Sequence, residues 1–131
     1  MSSPETLHEL AQAVRDLDEQ RREAIQRRDA AIRAARRDGA RPVDLNRATQ
    51  LHPQVVLRII SAAQPEPEPG DVAELSEAAR TATARHEDAL TRRNAEIRAA
   101  VDSGAKITDV IKSTGLSRSA VHVIRTSATT H

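Results

Sequence analysis

Near the end of the chain, Ser117, Arg118, Ser119, His122 and Thr126 bring three hydroxyls, a guanidinium and an imidazole into ten residues. This is recognition chemistry, not bond-making chemistry. A guanidinium offers a planar fork of donors that fits the paired acceptors on a guanine edge or the oxygens of a phosphate, and hydroxyls and imidazole bond to either. Lys106 and Thr108, a short way upstream, add a cation and a hydroxyl that could hold a sugar–phosphate backbone. Catalytic patterns do not stand out. The histidines, His8, His52, His86, His122 and His131, have no metal-ligand spacing with one another or with acids. There is no Ser/His/Asp arrangement, no glycine-rich phosphate loop and no paired carboxylate site, and Asp109 reads as a first-turn acid near a positive helix end. With no cysteine, disulfides and thiolate metal sites are excluded. No enzyme activity, metal, cofactor or small-molecule substrate is expected.

The polar group needs a platform. Val110, Leu116, Val121 and Ile124 have the spacing that locks two short helices against a third. Gly115 permits the positive φ of a tight turn, and Ser117 is a good N-cap. The predicted helices are 107–114 and 118–127. Because their apolar residues face inward, Ser117, Arg118, Ser119, His122 and Thr126 face outward.

Shifted by 65 positions, the chain aligns with itself, with about a third of the aligned positions identical. Arg27-Arg28-Asp29-Ala30-Ala31-Ile32-Arg33-Ala34-Ala35 falls on Arg92-Arg93-Asn94-Ala95-Glu96-Ile97-Arg98-Ala99-Ala100, and Gly39, Asp44, Thr49, Leu51, Val56 and Ile59 on Gly104, Asp109, Thr114, Leu116, Val121 and Ile124. The reading is therefore two tandem repeats, 1–64 and 71–131, joined by a Pro/Glu linker at 65–70. Alternating prolines favour extended polyproline II geometry, so the linker is either a plain connector or a ruler of roughly 20 Å. Each repeat opens with a long helix, 5–38 and 71–103, carrying one apolar stripe: Leu7, Leu10, Val14, Leu17, Ile25 and Ile32, then Val72, Leu75, Ala79, Ala82, Leu90 and Ile97. A helix near 50 Å long exceeds what a small three-helix unit can bury. The first half of each stripe must pack elsewhere, on the other copy or on a second chain as a homodimer, in coiled-coil fashion. Pro42 and Pro53 mark the starts of helices 42–49 and 53–63. With Phe, Tyr and Trp absent, the core is Leu, Ile, Val and Ala, and the fold class is all-α.

The stretch SGAKITDVIKSTGLSRSAVHVIR resembles the helix-turn-helix superfamily, especially the three-helix variety of resolvase-type recombinases and sigma-factor-like promoter readers. It is similar to actinobacterial-style strings in which an AAIRAA…GA helix precedes a TGLSRSTV turn. The resemblance covers roughly residues 95–125, with a fainter echo over 30–59. It departs at Ile111, where a small residue is usual, and at Val123, where a polar one is commoner. It implies that the last helix enters the major groove and that its first residues meet base edges. In copy one Gln50 replaces the turn glycine and Asn46 the usual small residue. The outward set there is His52, Gln54, Leu57 and Arg58, with Leu57 able to meet a thymine methyl. Copy one is either a second DNA head or a module that has drifted toward packing or dimerisation.

Net charge is +1, yet Lys106, Lys112, Arg118 and Arg125 stand against one acid, Asp109, in residues 104–131, while Glu66, Glu68, Asp71, Glu74 and Glu77 precede them. The arginine pairs 21–22, 27–28, 36–37 and 92–93 are interleaved with acids and read mainly as solvated helix faces, with phosphate contact as the alternative. No apolar run approaches the roughly 20 residues of a membrane span, and Met1 to Glu5 lack signal-peptide features. A cytoplasmic, nucleoid-associated bacterial protein is expected, a regulator or DNA-organising factor that binds double-stranded DNA sequence-specifically, with half-sites about 34 Å or a multiple apart. A protein-interaction scaffold built on a coiled coil is the alternative from another class.

Overall fold

The computed structural model describes residues 4–127. Among them are six helices and no strand: α1 (Pro4–Arg37), α2 (Pro42–Thr49), α3 (Pro53–Ser61), α4 (Val72–Asp102), α5 (Ile107–Thr114) and α6 (Arg118–Thr126). The class is all-α. No helix among the described residues is long and apolar enough to cross a membrane.

The two long helices end alike. Gly39 and Gly104 take φ of 107° and 99°. Gly39 N–H donates to the Arg36 carbonyl and Ala40 N–H to that of Ala35, while Gly104 and Ala105 donate likewise to Val101 and Ala100. This is the Schellman closure, which satisfies carbonyls that the last turn would otherwise strand. The short helices also start as the residue types dictate, with Pro42 and Pro53 in the first turns of α2 and α3.

The chain divides into two compact units that do not coincide with the sequence repeats. One is residues 19–84; the other joins the residues up to Asp18 to those from Arg85 onward. The repeats run 1–64 and 71–131, so each unit contains both copies. In the first-and-last unit the core is Leu7, Ile97, Ala100, Val110, Val121 and Ile124, with Ile107, Ile111 and Leu116 against it. Ile111 is thus accommodated as a partly buried flank. In the 19–84 unit the core is Ile32, Leu45, Val56 and Ile59, with Ala35, Leu51 and Val72 against it. Leu7 and Val72 are equivalent residues of the two repeats, and each is packed against the other repeat's short helices. The first residue of each stripe, Leu7 buried and Val72 partly so, is therefore covered by a short-helix pair as well as by a long helix. The physical reason is area: burying a leucine there removes apolar surface from water that a helix pair alone would leave half wet.

The linker is neither a free connector nor a bare ruler. Glu68 N–H donates to the Ala30 carbonyl at 3.1 Å, and Pro65 and Pro67 are partly buried. A Cβ at Gly70 would lie 2.7 Å from Leu75 Cδ1 and 3.5 Å from Ala31 Cβ, so glycine allows the strand of linker to lie this close.

Candidate nucleic-acid interface

The last helix of the first-and-last unit, α6, is built by its two faces. Val121 and Ile124 are buried in the core. Arg118, Ser119, His122, Arg125 and Thr126 are exposed. Ile107, Arg118, Ser119, His122, Val123 and Arg125 line an open groove of about 450 Å³. Val123, on the polar face, is 61% exposed. Ser117 begins the helix: its Oγ accepts the Ala120 N–H at 3.0 Å, which leaves the hydroxyl hydrogen to donate outward. Thr126 differs from expectation, because its Oγ1 donates back to the His122 carbonyl at 2.9 Å, so its own hydrogen is spent inside the helix. Lys106 and Thr108 are exposed at the start of α5, with Lys106 in the N-cap position and making no side-chain cap.

The turn before α6 is fixed from several directions. Gly115 closes α5 at φ 77°, ψ 6°. Thr114 Oγ1 donates to the Val110 carbonyl at 2.8 Å and accepts Leu116 N–H at 3.2 Å. Arg15 Nη1 donates to the Thr114 carbonyl at 3.3 Å, and His8 Nδ1 lies 3.3 Å from the Ser113 carbonyl. At the far end Arg98 Nη1 donates to the Ile124 carbonyl at 3.4 Å. Cations at a helix C-terminus satisfy orphan carbonyls and oppose the negative end of the dipole. Arg15 thus holds the end of α5 and Arg98 the end of α6, while Ser117 caps the start of α6.

The 19–84 unit repeats most of this frame, though Ala73 stands in the place of His8 and the His8 contact has no counterpart. Gln50 adopts φ 60°, ψ 18°, the same left-handed turn that glycine takes in the other unit. Thr49 Oγ1 donates to the Leu45 carbonyl at 2.7 Å and accepts Leu51 N–H at 3.2 Å. Arg80 Nη1 donates to the Thr49 carbonyl at 2.8 Å, and Arg33 Nη1 to the Ile59 and Ile60 carbonyls at 3.1 Å each and to Ala62. Loss of the turn glycine therefore leaves the backbone path unchanged. Asn46 carries one consequence of replacing a small residue: its Oδ1 is buried without a partner. On the outer face Gln54 and Arg58 are exposed, as are Val43 at 48% and Leu57 at 46%. His52 is diverted, since its Nδ1 accepts Gln54 N–H at 3.1 Å and caps α3.

Sequence reasoning missed several cations that belong to these faces. Arg41 and Arg47 are exposed on the 19–84 unit, so that with Arg58 its short-helix segment carries three cations against Asp44, one fewer than Lys106, Lys112, Arg118 and Arg125 give the α5–α6 segment against Asp109. The repeat register held the signal, because Arg41 falls on Lys106 and Arg47 on Lys112. Arg41 pairs with Asp44 at 3.1 Å; the hydrogen bond from Arg41 holds the Asp44 carboxyl below its ordinary range and raises Arg41 in turn. Arg125 was read only as local charge, yet it lines the α6 groove. The arginine pairs on the long helices are mostly engaged locally: Arg28 with Asp29 at 2.8 Å and Arg92 with Asp88 at 3.7 Å. Half-buried Arg93 has no acid in Asp29's place; it donates to Asn94 Oδ1 at 3.0 and 3.1 Å, and burial pushes its pKa down.

His86 lies 3.7 Å from Asp18 with its side chain largely covered, and His131 falls outside the described residues. Among the described residues no group of three or more His, Asp or Glu is placed to hold a metal ion. No protein-family model, no curated protein and no solved structure matches the chain.

Proposed function

We propose that the chain binds double-stranded DNA through helix-turn-helix heads, as a small bacterial regulator or DNA-organising factor, with α6 as the principal reading helix. One observation carries the reading. Arg118, Ser119, His122 and Arg125 stand together on an exposed face whose opposite side is buried aliphatic core, and among the described residues none of their polar heads has a hydrogen bond or ion pair. A nine-residue helix capped by Ser117 and held at its end by Arg98 matches the demands of major-groove readout: rigid placement, then bidentate or single hydrogen bonds to base edges. Lys106, Thr108, Lys112 and Arg125 serve the phosphates, which position without specifying.

The test is a gel-shift with random-sequence duplex DNA over a salt series, on the wild type and on Arg118→Ala. The reading expects affinity to fall steeply with salt, because neutralised phosphates release counterions. It expects Arg118→Ala to relax sequence preference. Binding that ignores salt, or the absence of binding at low salt, refutes it. The exposed Val43, Leu57 and Val123 favour one second reading, a coiled-coil protein-interaction scaffold. That reading expects no salt-dependent DNA complex.

A further inference from the structure

The two short-helix pairs share one backbone frame. The threonine that bonds back into its helix, the left-handed turn and the arginine on the turn carbonyl recur at a 65-residue offset. The buried residues recur too: Leu51 and Leu116, Val56 and Val121, Ile59 and Ile124. The exposed positions do the opposite. Pro53 stands where the other head has Arg118, Gln54 where it has Ser119, Leu57 where it has His122, and Arg58 where it has Val123. Equivalent sites on equal frames therefore offer different chemistry, and this comparison needs no assumption about how either head docks.

Resting on the DNA-binding reading above, we propose that the two heads read unlike base pairs, so that the preferred duplex is a composite with one G·C-directed and one A·T-directed segment, without two-fold or direct-repeat symmetry. On α6 the first turn presents a guanidinium and a hydroxyl and the next an imidazole. A guanidinium's parallel donors match guanine N7 and O6. On α3 the first turn presents no cation. Gln54 carries one donor and one acceptor on a planar amide, which is the complement of adenine N6 and N7. Leu57, one turn on and 46% exposed, has no hydrogen bond to offer, and its natural complement in the groove is the thymine methyl. Arg47 and Arg58 supply the phosphate contacts that such a head needs.

The experiment is selection from a random pool of duplex DNA with the intact chain. Titrations follow for wild type, Gln54→Ala and Arg118→Ala on the recovered duplex and on copies with single base-pair changes. Both side chains are exposed and outside the core, and circular dichroism checks that each variant retains its helices. The expected result is two unlike segments. Gln54→Ala should lose roughly tenfold discrimination in the A·T segment and leave the G·C segment intact, and Arg118→Ala should do the converse. A palindromic or direct-repeat consensus, a change in both segments from either variant, or a silent Gln54→Ala overturns the composite site while DNA binding stands. A silent Gln54→Ala would also direct attention to a protein as the partner of α3. Failure to recover any salt-sensitive duplex complex overturns the underlying function and this proposal with it.

Discussion

Leu7→Ala should loosen helices that lie about a hundred residues away in sequence. Leu7 is 3% exposed and packs with Ile97, Ala100, Val110, Val121 and Ile124. Cutting the side chain back to Cβ removes three carbons from a filled site. The loss combines transfer free energy with the cavity left behind, which puts the cost at about 3 kcal/mol. Every 1.4 kcal/mol is a factor of ten, so amides that exchange through opening of this unit should exchange roughly a hundredfold faster. Hydrogen exchange followed residue by residue is the assay. Amides of α5 and α6 should lose protection, and those of α2 and α3, whose core is Ile32, Leu45, Val56 and Ile59, should change far less. If α2 and α3 lose protection first, or if α5 and α6 keep theirs, the assignment of Leu7 to the other repeat's core is wrong.

Three further perturbations test the local physics. Gly115→Ala should destabilise the chain by about 1 kcal/mol in denaturant titration, from the left-handed φ alone; the new Cβ would meet only Arg15 Nη1, at 3.7 Å. Gln50→Gly should release comparable strain at φ 60° and be neutral to mildly stabilising, since glycine's extra unfolded-state freedom offsets part of the gain. Asn94→Asp should give half-buried Arg93 the carboxylate that Arg28 already has in Asp29, and raise the melting temperature by about 4 °C, equivalent to about 1 kcal/mol; an unchanged or lowered value would refute a net gain from pairing this guanidinium.

Local chemistry was the legible part of this chain. Gly39 and Gly104 stop helices, Pro42 and Pro53 start them, and Ser117 caps α6, each through bonds a residue makes within a turn of itself. The bounds of α2 and α5 follow directly, and α3 and α6 end only one or two residues early. The inward set of each short-helix pair was legible as well, because Val56, Ile59, Val121 and Ile124 can face only one way on so short a helix. The partner of Leu7 was not legible. A stripe of leucines specifies that something apolar covers it but not which of two duplicated surfaces does so. Ala79 was read on the apolar stripe and is buried, but Ala11 and Ala89, also buried, were not, because alanine is at home on wet and dry helix faces alike. The turn at Gln50 was placed but its left-handed conformation was not legible, since local bonds from Thr49 and a tertiary bond from Arg80 hold a conformation that glutamine's own preference opposes. Of the site, the exposed residues of α6 were read correctly by position. Local bonding of Thr126 and His52 was not, because hydroxyls and imidazoles have backbone partners within reach that compete with an outside ligand.

The shared cores also bear on synthesis. A ribosome releases a chain from its N-terminus, and domains usually close as they emerge. Here the stretch up to Asp18 must wait for the last helix before its leucine finds cover, whereas 19–84 can close with nothing still to come. Until then the helix that carries Leu7 keeps an apolar edge without a counterpart.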